Sequence, residues 1–190
     1  MMQDKIKSMI GESAEIRNLL KTRSSEIEKC VKMVVETFNR GNKIILAGNG
    51  GSASQAQHIA AEFVGRYKIE RRALPAIALT TDTSVLTSIS NDYSYEDVFS
   101  RQIEALGKEN DVFISLSTSG NSGNLIKGVN AAKKNGIKVI GLYGKDGGLL
   151  KGKSDIEIIV PSNNTPRIQE AHLMMLHIIC ECVDEELFMR

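Results

Sequence analysis

The sequence predicts an α/β fold, a three-layer sandwich in which a five-stranded parallel sheet lies between helices, preceded by two further helices. Three observations carry that prediction. Five short apolar runs are bounded by Gly, Pro, Asp or Asn, and segments of helical periodicity separate most of them. The 16 glycines, against only 3 prolines, gather just after the runs, where open α/β sheets bind ligands.

Residues 2–21 and 24–40 repeat apolar side chains three and four apart: Ile6, Met9, Ile10, Ile16, Leu19 and Leu20, then Ile27, Val31, Val34, Val35 and Phe38. That spacing gives two amphipathic helices. "NRGN" at 39–42 ends the second, with Gly41 suited to the left-handed position after a helix. The period then shortens. "KIILAG" (43–48), "PAIAL" (75–79), "DVFISLS" (111–117), "KVIGL" (138–142) and "DIEIIV" (155–160) read as buried strands. Helical segments at 52–66, 94–107 and 122–135 fall between strands, 165–188 closes the chain, and the alternation implies right-handed crossovers. No repeat, low-complexity tract or linker interrupts it. Residues 1–190 are therefore expected to form one domain, with a helical pair over 1–41 and the α/β core and last helix over 42–190.

Composition narrows the function. The chain is 42% hydrophobic and 25% charged, and its 24 basic and 23 acidic residues leave a net charge of +1, so nucleic acid is not an expected partner. No run approaches the ~20 apolar residues of a membrane span, and the N-terminal residues are charged throughout. The cytoplasm is the expected location. Cys30, Cys180 and Cys182 are too few for a disulfide framework. Cys180 and Cys182 point ~200° apart on a helix and cannot grip one ion.

Two loops offer ligand chemistry. "GNGGSAS" follows the first strand and opens a helix, where Gly48, Gly50 and Gly51 allow close backbone approach and Ser52 is placed to cap. The same stretch also fits a plain strand-to-helix turn with a good N-cap. "STSGNS" recurs after the third strand, with Ser117, Thr118, Ser119 and Ser122 around Gly120 at the mouth of the next helix. Four hydroxyls exceed what a cap can use and suit a phosphate monoester.

Two sets of titratable residues follow. His58 and Glu62, four apart, project ~40° from one another and ~6 Å along a helix, so one metal ion or substrate can touch both; an ordinary exposed ion pair has the same spacing. In "RIQEAHLMMLHIICE", Gln169 and His177 lie ~80° apart and ~12 Å along the last helix, a stretch for one metal ion. His172 lies ~140° from His177 and reads as structural or surface. A lone His177 on an apolar helix is also a common core residue.

Taken together, "AGNGGSASQAQHIAAEFVGRY", "PAIALTTDTSVLTSISND", "FSRQIEALG", "DVFISLSTSGNSGNLIKG", "GLYGKDGG" and "TPRIQEAHLMMLHIICE" resemble the phosphoheptose isomerases of the sugar isomerase (SIS) domain family, over nearly the whole chain. The resemblance implies a flavodoxin-like fold and an aldose/ketose isomerase that converts sedoheptulose 7-phosphate to D-glycero-D-manno-heptose 7-phosphate. It implies a homotetramer with active sites at subunit interfaces and one zinc ion per subunit, held by His58, Glu62, Gln169 and His177. Substrate contacts would be Asn49, Gly50, Gly51, Arg66, Asn91, Asp92, Ser117, Thr118, Ser119, Ser122 and Gln169, and Glu62 and His177 would be the base and acid. Gln55 departs from the Asp of many relatives.

A competing reading is a non-catalytic regulator of the same family that binds the bacterial replication initiator. That relative lacks the Glu and His at the positions of Glu62 and His177, and this chain has both. A sugar-phosphate sensor would ordinarily carry a DNA-binding domain as well.

Overall fold

The computed structural model describes residues 1–189; Arg190, the end of the expected domain, lies outside the described residues. Helices α1 (Met2–Leu20) and α2 (Ser24–Asn39) lead, joined by a tight 3-10 turn. Gly41 at φ 77° turns the chain out of α2. There follow β1 (Ile44–Gly48), α3 (Gly51–Val64), β2 (Ala76–Ala78), α4 (Thr83–Asp92), α5 (Val98–Leu106), β3 (Val112–Ser117), α6 (Gly123–Lys134), β4 (Lys138–Gly144), β5 (Ile156–Val160) and α7 (Thr165–Phe188).

All four strand pairings are parallel, in the order β2-β1-β3-β4-β5. This is a doubly wound, flavodoxin-like order whose winding reverses between β1 and β3. A crevice opens there at the carboxyl ends of the strands. Both loops singled out in the sequence start at that crevice.

Alternation along the central strands builds two cores. Ile44, Leu46, Val112, Ile114 and Leu116 face α2, α3 and α7, while Ile45, Ala47 and Phe113 face α5 and α6. Central strands β1 and β3 are buried along their whole length, whereas edge strands β2 and β5 are only partly so. Ile59 and Phe63, four apart on α3, are sealed in the first core. Each such side chain contributes about 1.5–3 kcal/mol by leaving water, which anchors α3 against the sheet.

Four findings correct the sequence reading. Residues 83–92 form α4, which the Ser/Thr-rich and β-branched composition had hidden; Asp82 caps it by accepting from the Val85 amide at 3.0 Å, and none of its residues is buried. The segment expected to be helical from 94 starts as a 3-10 turn at Tyr95–Asp97, and α5 begins only at Val98. In α1 only Ile16 and Leu20 are buried, while Ile6, Met9, Ile10 and Leu19 are 44–64% exposed. Nothing among the described residues covers that stripe. Ser52 does not cap α3 with its side chain: Gly50 is the N-cap, and Ser52 lies within the first turn, buried against Gly48.

Candidate active site

Gly48 ends β1 so close under α3 that a Cβ on it would lie 2.7 Å from both the Ser52 Cβ and main-chain oxygen. Gly50, at φ 54°, then turns the chain into the helix. The turn fixes where α3 starts and thus where its polar face points. Ala56, Ile59, Ala60 and Phe63 go into the core, and His58 and Glu62 are left beside α7.

There the structure brings together residues more than a hundred positions apart. The Nε2 atoms of His58 and His177 are 2.9 Å apart, with the rings nearly perpendicular at 80°. Glu62 Oε1 lies 3.4 Å from His58 Nε2, and one ligand atom from each of the three residues falls within 4.8 Å of the others. Tyr67 stacks on His177 at 5.8 Å between centroids. Burial, and then the neighbouring His58, push the His177 imidazole below the usual histidine range, opposed by Glu62.

The donor set can be tested against a metal. Zinc bonds of 2.0–2.2 Å to nitrogen and oxygen put tetrahedral ligand atoms ~3.3–3.5 Å apart. The distances of 2.9 and 3.4 Å are close to that, and two imidazoles with a carboxylate are suitable donors for such an ion. The three residues fit a divalent cation. Gln169 is placed at the start of α3: its side chain lies against Gly51, and its main-chain oxygen accepts from Gln55 Nε2 at 2.7 Å. Gln55 thus ties α3 to α7.

His172 is fully buried, and burial drives its pKa down to about 4, with Nε2 3.2 Å from the Tyr143 carbonyl. It belongs to the core.

Around the crevice, Asn49 is held in a paired amide contact. It donates to Asn124 Oδ1 and accepts from Asn124 Nδ2, both at 2.9 Å, and Tyr95 donates to the same Asn49 oxygen at 3.0 Å. In the second loop Ser117 Oγ accepts from the Gly120 amide at 3.0 Å, and Ser119 Oγ accepts from the Asn121 amide at 3.2 Å. Gly120, at φ 67°, packs on the Gly147 carbonyl, where no side chain fits. Ser122 is the N-cap of α6 and makes no side-chain cap bond; its Oγ lies 3.4 Å from that of Ser117. The loop therefore pairs an open helix N-terminus with hydroxyls. Thr118 sits in the same loop, half-buried.

Three predicted residues stand apart from that loop. Asn91 and Asp92 are exposed at the end of α4, hydrogen-bonded to each other at 2.9 Å, and Arg66 is exposed just past α3 with Glu70 at 3.7 Å. Sequence reasoning missed Asn124, Tyr95 and Tyr67. Asn124 carried a signal, a polar residue in the first turn of α6 that ends 3% exposed; the two tyrosines carried none.

A family model described as SIS domain matches residues 12–144. The chain is 53% identical over 182 residues to the phosphoheptose isomerase of Aliarcobacter butzleri, covering 96% of each chain. It is 50% identical to that of Helicobacter pylori, covering 94% of this chain and 93% of the other. Among solved structures, a phosphoheptose isomerase from Francisella tularensis aligns with a TM-score of 0.94 at 35% identity, over 97% of this chain and 99% of that one. The one from Neisseria gonorrhoeae aligns with a TM-score of 0.90 at 39% identity, over 97% and 100%. The chain belongs to the SIS domain family and, within it, to the phosphoheptose isomerases.

Proposed function

We infer that the protein is an aldose/ketose isomerase that interconverts sedoheptulose 7-phosphate and D-glycero-D-manno-heptose 7-phosphate, the first step towards the activated heptoses of bacterial surface glycans. The observation that carries the mechanism is the meeting of Glu62 with His58 and His177 on the seam between α3 and α7.

Each part of the site has a task. The amides at the start of α6, with Ser117, Thr118, Ser119 and Ser122, bind the phosphate, since a helix N-terminus and hydroxyls donate to an anion together. Asn49, Gly50 and Gly51 present backbone and amide groups to the sugar; Arg66, Asn91, Asp92 and Gln169 complete the substrate contacts. Glu62 removes a proton from C1 of the ketose while the C2 carbonyl oxygen gains one from His177, giving the cis-enediol. Return of a proton to C2, and loss of the hydroxyl proton on O1, gives the aldose. No atom enters or leaves.

His58, Glu62, Gln169 and His177 would hold one zinc ion per subunit, which supplies Lewis-acid polarisation and orientation of the adjacent oxygens when bound. A cation beside a carboxylate lowers its basicity, so the two roles of Glu62 compete. Metal analysis of protein purified without chelator, followed by assay after chelation, separates them: zinc at one per subunit with activity lost on its removal supports the assignment, and full activity without metal refutes a catalytic ion.

A homotetramer with sites at subunit interfaces is supported by uncovered apolar surface. A groove of about 550 Å³ between α1, α2 and α7 is lined by Leu20, Ile27, Val31, Met174 and Ile178. It shares Arg17, Met174 and Ile178 with a hollow that contains His177. Residues 1–190 are on this reading one functional unit. Its three free cysteines are in keeping with a reducing cytoplasm, and no helix among the described residues is long and apolar enough to cross a membrane.

The regulator reading is not favoured, because the three residues that chemistry needs converge. Incubation of the pure protein with sedoheptulose 7-phosphate beside other ketose phosphates decides both questions. Aldose formation selective for the heptulose is the expected result; no turnover of any sugar would restore the regulator.

A further inference from the structure

We propose that the buried ion pair of Arg71 and Asp184 is a positioning device that sets the spacing of Glu62 and His177 by clamping the last turn of α3 to α7. Arg71 lies in the irregular segment between α3 and β2, and its side chain is 1% exposed, that of Asp184 4%. Arg71 Nε donates to Asp184 Oδ1 at 2.6 Å. Its Nη2 donates to the Glu62 carbonyl at 2.9 Å, and its Nη1 to the Phe63 carbonyl at 2.9 Å, with Arg72 O at 3.1 Å and Gly65 O at 3.4 Å.

The guanidinium therefore binds carbonyls at the end of α3 that have no partner within the helix, at the negative end of its dipole. One of them belongs to Glu62 itself. Only a planar fork of five donors can reach a carboxylate on one element and several carbonyls on another.

The other end of the clamp is aligned with the site. Asp184 follows His177 by seven residues, within ~20° of two full turns and ~10.5 Å further along the helix. Both side chains lie on the face of α7 that meets α3. Three polar ties are thus spaced along this seam: Gln55 to the Gln169 carbonyl at 2.7 Å, His58 to His177 at 2.9 Å, and Arg71 to Asp184 at 2.6 Å. The middle one holds His177 beside Glu62, and the outer two fix its register. Asp184 Oδ2 is buried with no hydrogen-bond partner, so Asp184 is held through its Oδ1 contact with Arg71.

The inference rests on Glu62 acting as the base. Its test uses the full-length protein, with kcat and KM measured separately on sedoheptulose 7-phosphate at a temperature where every variant is folded. Arg71→Lys keeps a charge near Asp184 but cannot span the carbonyls. It should lower kcat about 10- to 100-fold, the cost of an ångström-scale misplacement of reacting groups, with KM changed less than threefold. Asp184→Asn should act likewise, and Asp184→Glu should recover at least a third of the wild-type kcat. Val129→Ala, in the core on the opposite side of the sheet, controls for stability: it should lower Tm while leaving kcat within twofold. If Arg71→Lys lowers kcat no more than Val129→Ala does, or raises KM in place of lowering kcat, the clamp is refuted. Glu62→Gln runs alongside: a dead Glu62→Gln with an unimpaired Arg71→Lys overturns the clamp alone, and an active Glu62→Gln overturns the base on which it rests. Should Arg71→Lys fail to fold, the double variant Arg71→Met with Asp184→Leu replaces it, with the same expected fall in kcat and the same contrary result.

Discussion

Two carboxylates, one just before a central strand and one on the seam between α3 and α7, are treated very differently by this fold. Asp111, just before β3 at the amino-terminal edge, accepts from the Lys43 amide at 3.0 Å, the Lys108 amide at 2.8 Å and Asn42 Nδ2 at 3.0 Å, and pairs with the Lys43 ammonium. Burial pushes its carboxyl up, but these hydrogen bonds together hold it below the usual carboxylate range. Glu62 is in the last turn of α3; its carboxylate accepts no hydrogen bond among the described residues and has a histidine at 3.4 Å. A fully satisfied carboxylate fixes structure. One left under-satisfied beside two imidazoles keeps an oxygen free to reach a substrate proton.

The sharpest way to break this contrast is to neutralise each carboxylate in turn. Glu62→Gln should lower kcat by about 10²–10⁴, the usual contribution of a positioned acid or base, while Tm stays within about 2 °C. Asp111→Asn should do the reverse. Charge-assisted hydrogen bonds are worth about 1.5–3 kcal/mol each, and losing part of the set should cost about 2–4 kcal/mol in denaturant unfolding, with kcat unchanged. A large loss of stability in Glu62→Gln, or of turnover in Asp111→Asn, would erase the distinction.

Acid titration of stability sharpens it further. His172 has a folded pKa of about 4 against an ordinary value of 6.5, so the unfolded chain binds the extra proton. Stability should therefore fall between about pH 6.5 and 4, by on the order of 3 kcal/mol, and a His172→Gln variant should lack that phase. The Asp111 contribution, from a depressed pKa, persists down to the ordinary carboxylate value near 4 and is lost as pH falls through the lower folded value. Unfolding midpoints measured from pH 8 to 2 should show the histidine phase first and the Asp111 phase second. Smallest in effect, Ser122→Ala should raise KM about three- to tenfold with little change in kcat, since one hydroxyl donor to the phosphate is lost.

Much of this was legible in the sequence. The strands and most helices follow from period and punctuation, because buried strands and amphipathic helices must repeat as they do. Helix α4 was not legible: only Leu86 and Ile89 pack, partly buried, against the second core, and Ser and Thr fill most of the other positions, so its apolar stripe is too short to stand out. The pairing of His58 with Glu62 could be read from their spacing, and the hydroxyl loop from its excess of donors. The approach of His177 could not, since it depends on how α7 lies across α3, a matter of packing between residues 119 apart. Arg71 escaped for the same reason, as a basic residue among others in "RRALP" whose partner comes 113 residues later.

The central claim, that Glu62 moves the carbon-bound proton, is tested most directly by isotope incorporation. With sedoheptulose 7-phosphate in D2O, the wild-type protein should place deuterium at C2 of the aldose formed. Glu62→Gln, folded and able to bind substrate, should incorporate it at least about 100-fold more slowly. Incorporation by Glu62→Gln at the wild-type rate would contradict the account.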